Sequence, residues 1–140
     1  MSNNIVSFLN DNPIQYLATI GLDNKPKIRP FQFMLEDNGK LYFCTSNKKE
    51  IFKELKNNPL KNNPYVEISI ADKNFSWLRL NGKVVFSNDE NIKKKILENS
   101  PLVKSIYKNF DNPIFEVFYL AEAKGSISTL STSTPKIYSL

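Results

Sequence analysis

The stretch FCTSNKKE, Phe43 to Glu50, puts two hydroxyls and two ammonium groups side by side in Thr45, Ser46, Lys48 and Lys49. A strand-like run ends at Thr45-Ser46, and a helix is expected to open on the lysines. Cations in a helix's first turn are disfavoured by roughly 0.3–1 kcal/mol each, because that end already carries partial positive charge. Unsatisfied N–H groups, hydroxyls and lysines together suit a phosphate, and a bound dianion would turn the repulsion into attraction. The alternative is a solvated turn in which Ser46 or Asn47 caps the helix and the lysines face water.

Two further stretches bear on the same chemistry. KIRPFQF, Lys27 to Phe33, reads as the strand before a hairpin at Glu36–Gly39. Pairing across that hairpin is expected to carry Arg29 to Thr45-Ser46, where its guanidinium fork matches phosphate oxygens. Pro30 has no N–H and marks a break in the ladder. The amides left unpaired beside it, and the Gln32 side chain, suit a planar hydrogen-bonding ring. In FSWLRL, Phe75 to Leu80, alternation sets Trp77 and Arg79 opposite Leu78 and Leu80. If the leucines are core, Trp77 and Arg79 face a ligand or partner. An aromatic and an arginine on an open strand also suit single-stranded nucleic acid.

The rest of the chain excludes several classes. There is no histidine, so the usual general base, the commonest metal ligand and every Ser-His or Cys-His pair are absent. The single cysteine, Cys44, allows no internal disulfide and is read as packing. No apolar run approaches the ~18 residues of a membrane span. With no export signal at the N-terminus, a cytoplasmic protein is expected. A net charge of +5 in 140 residues favours anionic partners.

The elements that must position these residues follow from periodicity. Helices are predicted over Ser2–Asn10, after an Asn47/Glu50 capping box, over Asp89–Asn99 and from Pro101. Strands are predicted over Gln15–Ile20, Lys27–Leu35, Lys40–Thr45, Tyr65–Ala71 and Phe75–Ser87, the last with a bulge at Asn81-Gly82. Further strands are expected over Ile114–Ala121 and Gly125–Ser131, with Lys136–Leu140 as an edge. The tandem LKNNP repeat, Leu55–Pro59 and Leu60–Pro64, reads as a surface loop. Tight turns between successive strands imply an antiparallel α+β domain spanning 1–140.

Taken in order, KIRPFQF through FCTSNKKE, then PYVEISI and SWLRLNGKVVF, resemble the pyridoxamine 5'-phosphate oxidase-like family of FMN-binding split barrels. The likeness is greatest to its short, Nim-like bacterial members. It implies a six-stranded antiparallel split β-barrel with flanking helices that forms a homodimer and binds FMN at the dimer interface. It implies that Arg29, Pro30, Phe31 and Gln32 lie along the flavin. Cys44, Thr45, Ser46, Lys48 and Lys49 would hold the ribityl phosphate, and Trp77 would approach from the partner subunit. A flavin would supply redox chemistry without histidine, so an FMN-dependent oxidoreductase acting on a small molecule is expected, with no nucleic-acid or membrane partner. A non-catalytic flavin binder or sensor and a basic nucleic-acid-binding barrel are the alternatives. The chain ends at STSTPKIYSL, without the tryptophan- and arginine-bearing segment of true pyridoxamine phosphate oxidases, so pyridoxal phosphate synthesis is not expected. Nitroimidazole reduction finds no supporting histidine.

Overall fold

In a computed structural model, which describes residues 2–56, 64–131 and 134–140, the alternation in the strands becomes an eight-stranded antiparallel sheet. The element order is α1 (Ser2–Asp11), β1 (Tyr16–Ile20), β2 (Pro26–Pro30), β3 (Phe33–Asp37), β4 (Lys40–Ser46), α2 (Glu50–Lys56), β5 (Tyr65–Ala71) and β6 (Trp77–Ser87). Then come α3 (Glu90–Asn99), α4 (Pro101–Tyr107), β7 (Phe115–Ser128) and β8 (Lys136–Ser139). The strands lie in the order β2-β1-β5-β6-β7-β4-β3, with β8 beside β7. The class is α+β as expected, with eight strands among the described residues rather than six. The LKNNP repeat falls mostly on residues 57–63, outside the described residues.

Inward positions of the strands form the main core. Leu17, Phe43, Ile68, Leu78, Leu80 and Phe118 are each at most 1% exposed. Burial of such a side chain is worth about 1.5–3 kcal/mol, which fixes the register, because a one-residue slip would turn every one of them outward. A second core lies on the other side of β4, where Tyr42, Phe115 and Val117 meet Ile92 and Ile96 of α3 and Val103 and Tyr107 of α4. Strand β4 is therefore covered on both faces, which explains its nearly unbroken apolar run.

Four local expectations differ from the structure. Lys27–Leu35 is not one strand. Its first half pairs with β1 (Leu17 opposite Arg29) and its second with β4 (Phe33 opposite Phe43), because the ladder breaks just after Pro30. A register shift between Phe33 and Leu35 then sends Phe33 into the first core and Leu35 into the second. The segments Ile114–Ala121 and Gly125–Ser131 form the single strand β7, which passes an irregularity instead of a turn. There Glu122 takes φ +54° opposite the expected bulge at Asn81–Lys83. Helix α2 begins at Glu50, so Lys48 and Lys49 lie in the turn before it and its first turn carries an acid. Asn47 does not cap it. The Asn47 amide donates instead to Pro113 O (2.8 Å) and Glu116 Oε2 (3.0 Å), tying the lysine turn to the start of β7.

The sheet's two edges, β2 and β3, are consecutive in the chain, and no ladder joins them. Gln15, 1% exposed, bridges the split. Its backbone oxygen accepts from Phe31 N–H (2.8 Å) and its Oε1 from Phe33 N–H (2.7 Å). Its Nε2 donates to Leu9 O and Asn12 O at the end of α1. Such a buried carboxamide, with all these bonds made, holds the broken strand in one conformation.

Candidate functional site

The end of β4 and the turn after it carry the residues expected from the sequence to hold a phosphate. Thr45 shares the inward face with Phe43, and its Oγ1 is buried without a hydrogen-bond partner. That is the one such side-chain atom among the described residues, and leaving a hydroxyl unsatisfied costs about 1–3 kcal/mol. Ser46 Oγ accepts from Lys48 N–H (3.1 Å), and Ser46 O from Lys49 N–H (3.0 Å), which folds the turn tightly. Lys48 and Lys49 are exposed and form no ion pair among the described residues.

Cys44 lies on the opposite face of β4, in the second core. Burial pushes its thiol up to about 12, with Lys49 opposing weakly. Burial likewise raises Tyr107 to about 12, with Cys44 contributing, and raises Tyr42. Cys44 is packing, not a nucleophile. These groups hold their protons more tightly folded than unfolded. Their stabilisation is therefore intact below the ordinary thiol value of 9.0 and is lost as pH rises toward 12. The urea midpoint is expected to fall between about pH 8 and pH 11, with Cys44 inert to iodoacetamide until the protein unfolds. Rapid alkylation of the folded protein would contradict the assignment.

Arg29 does not reach Thr45 through the hairpin, since its strand pairs with β1. It faces inward beside Leu17 and docks on α2. Nη1 donates to Thr19 Oγ1 (2.8 Å) and Leu17 O (3.3 Å), and Nη2 donates to Glu54 Oε1 (2.9 Å). Thr19 Oγ1 donates in turn to Glu54 Oε1 (2.7 Å). The Glu54 side chain is 1% exposed, that of Arg29 24%. Helix α2 thus follows the lysine turn directly and carries the arginine's partner in its second turn.

Next to Arg29, Pro30 is exposed on the outer face and Phe31 packs on Phe118 and Phe43, with ring centroids 5.9 and 6.3 Å away. The N–H groups of Phe31 and Phe33 are both taken by Gln15. The Gln32 N–H between them has no acceptor among the described residues. The predicted free amide is therefore one, at Gln32. Trp77 lies half-buried on the outer face, paired with Ala71 and Ser128, and Arg79 beside it is engaged by Glu67 (2.9 Å). Within one chain, Trp77 on β6 is separated from Pro30 on β2 by β5 and β1.

Sequence reasoning missed Thr19, Gln15 and Glu54. Glu54 was within reach, because it falls three residues after Ile51 and one before Leu55, on the apolar side of α2. A cavity of about 910 Å³ between α1, the β5–β6 turn and β8 is lined by none of the ten predicted residues. A site completed by a second copy would not be enclosed by one chain. Among the described residues no group of His, Cys, Asp and Glu could hold a metal ion, and no helix is long and apolar enough to cross a membrane.

An antiparallel sheet split between β2 and β3 is a split barrel. The chain belongs to the pyridoxamine 5'-phosphate oxidase family, whose model matches residues 1–126. A NimC/NimA family protein from Clostridium acetobutylicum is 34% identical, over 99% of this chain and 92% of its own, with a TM-score of 0.85. Two more distant structures share the fold. A pyridoxamine 5'-phosphate oxidase-related, FMN binding protein from Nostoc punctiforme (16% identity, 96% and 86% of the two chains) has a TM-score of 0.61. A heme binding protein from Mycobacterium smegmatis (14% identity, 96% and 56%) has 0.68. No curated protein matches the chain.

Proposed function

We propose that this chain is a homodimeric FMN-binding flavoprotein and, through the flavin, a cytoplasmic oxidoreductase acting on a small molecule. The observation that carries the reading is the end of β4, where, among the described residues, a buried Thr45 hydroxyl has no partner and is followed by two lysines with no acidic partner. Buried hydroxyls are nearly always bonded, and a phosphate oxygen is the partner assigned to this one. Thr45, Ser46, Lys48, Lys49 and Arg29 are assigned to the phosphate, and Cys44 supports their strand from behind. Pro30, Phe31 and the free Gln32 N–H are assigned to the flavin ring. When bound, FMN supplies electron transfer, and the protein supplies binding, orientation and electrostatics.

The outer sheet face supports the dimer. Cross-strand register lines up Ile28 with Ala18, Pro30 with Tyr16, and Ala71 with Trp77, and Ile28 and Tyr16 are 68% and 45% exposed. An apolar face of this kind on a soluble protein suits a second copy, which would bring its Trp77 toward the first copy's ring site. Heme is the weaker reading, because the chain has no histidine and the Cys44 thiol stays protonated.

Titration of the purified protein with FMN, followed by visible absorbance and by fluorescence of its single tryptophan, tests this. Saturable binding with quenched emission is expected, and absence of binding sinks the reading. Trp77→Phe should weaken FMN by roughly 0.5–1.5 kcal/mol and shift the flavin bands; unchanged affinity and spectrum would remove Trp77 from the site. Oxidation of NAD(P)H with an added acceptor separates the oxidoreductase from a non-catalytic binder.

A further inference from the structure

Arg29 is held by more than its role on a strand requires. A guanidinium has five N–H donors. Here both Nη1 hydrogens go to Leu17 O and Thr19 Oγ1, and one Nη2 hydrogen goes to Glu54. The Nε–H and the second Nη2–H have no acceptor among the described residues. The acceptor side is almost dry, with Thr19 4% exposed and the Glu54 side chain 1%, while the Arg29 side chain keeps 24%. One edge of the fork is pinned inside the barrel and two donors are left over. A surface salt bridge would not need Thr19 to bond both partners at once, as it does here at 2.7 and 2.8 Å.

We propose that Glu54 is the positioning residue of the phosphate subsite: with Thr19 it anchors the inner edge of the Arg29 guanidinium, so that its remaining donors are presented to a phosphate monoester. This rests on the flavin-phosphate reading above. An arginine that roams must lose its rotamer freedom when the phosphate arrives, whereas one fixed during folding has already lost it. The same helix carries Glu54 in its second turn and Lys48 and Lys49 in the turn before it. Glu54 thus ties Arg29 to the helix that follows the lysine turn.

The test uses the full chain, with FMN and riboflavin as the two probes and calorimetric affinities as the readout. Riboflavin lacks only the phosphate, so it reports the ring site and the integrity of the fold. Glu54→Ala should weaken FMN by about two- to tenfold and leave riboflavin unchanged. Glu54→Gln keeps an oxygen that accepts from both Thr19 and Arg29, so it should bind FMN at least as tightly as the wild type. Equal loss of both flavins in Glu54→Ala, or a Glu54→Gln as weak for FMN as Glu54→Ala, overturns the positioning role. If Glu54→Ala does not fold, Thr19→Val carries the test: a selective loss of FMN supports the inference and unchanged FMN overturns it. A wild type that binds FMN and riboflavin equally well refutes the phosphate reading itself, and the role of Glu54 with it. A wild type that prefers FMN while the Glu54 variants keep that preference refutes the role of Glu54 alone.

Discussion

Replacing Lys48 and Lys49 together with alanine is expected to weaken FMN about a hundredfold and riboflavin hardly at all. Both side chains are exposed and have no acidic partner among the described residues, so their loss costs the fold almost nothing. A charge-assisted hydrogen bond contributes about 1.5–3 kcal/mol. Exposure to water argues for the lower figure, which is roughly tenfold per lysine. The remaining FMN affinity of the double variant should depend less on salt than that of the wild type, because two of the attracting charges are gone. The comparison is made by titrating both flavins into wild type and variant at low and physiological salt. If both flavins weaken together, or neither does, the lysines do not hold the phosphate.

What could be read in advance, and what could not, divides by the range of the interactions. Every helix and the α+β class follow from local periodicity and turn chemistry, and so does the bulge at Asn81–Lys83. The family resemblance reached further, to the split barrel itself. The errors lie where a long-range contact overrides a local signal. Asn47 and Glu50 are spaced as a capping box, yet Asn47 bonds to Pro113 and Glu116, which come near only once β7 lies beside β4. Lys27–Leu35 alternates like one strand. Its halves join different partners because Gln15, brought up by α1 and β1, takes the Phe31 and Phe33 amides. Arg29 was placed by hairpin register beside Thr45, but its charge is met by Glu54, 25 positions away in the chain. The residues proposed for the site could be picked out in the sequence because phosphate chemistry needs cations and hydroxyls. Their supports, Thr19, Gln15 and Glu54, were not, because a buried polar side chain is recognised by its partner and not by its neighbours in sequence.

Removing Arg29 should cost more stability than any surface substitution in the chain, and the reason lies in Glu54. In Arg29→Ala the Glu54 carboxylate, 1% exposed, keeps, among the described residues, the Thr19 hydroxyl alone as partner. Breaking a buried pair on one side typically costs about 3–5 kcal/mol, because the remaining charge stays desolvated. Native domains are stable by about 5–15 kcal/mol, so Arg29→Ala should unfold at much lower urea and roughly 10 °C lower temperature. Removing both charges should behave differently. Arg29→Met with Glu54→Leu replaces the pair with apolar groups of similar length, a change that is often neutral or stabilising. The double variant should therefore recover most of the lost stability while still failing to favour FMN over riboflavin. That dissociation separates the two roles of Arg29, since the fold needs the pair's charges to balance and the phosphate needs the guanidinium itself. Urea titrations of the wild type, the single variant and the double variant, with flavin affinities on the folded proteins, measure both. A loss below about 1 kcal/mol in Arg29→Ala, the range of exposed pairs, would mean that Glu54 is not buried as described. A double variant that recovers its stability and also keeps its preference for FMN would leave Arg29 with no part in phosphate binding.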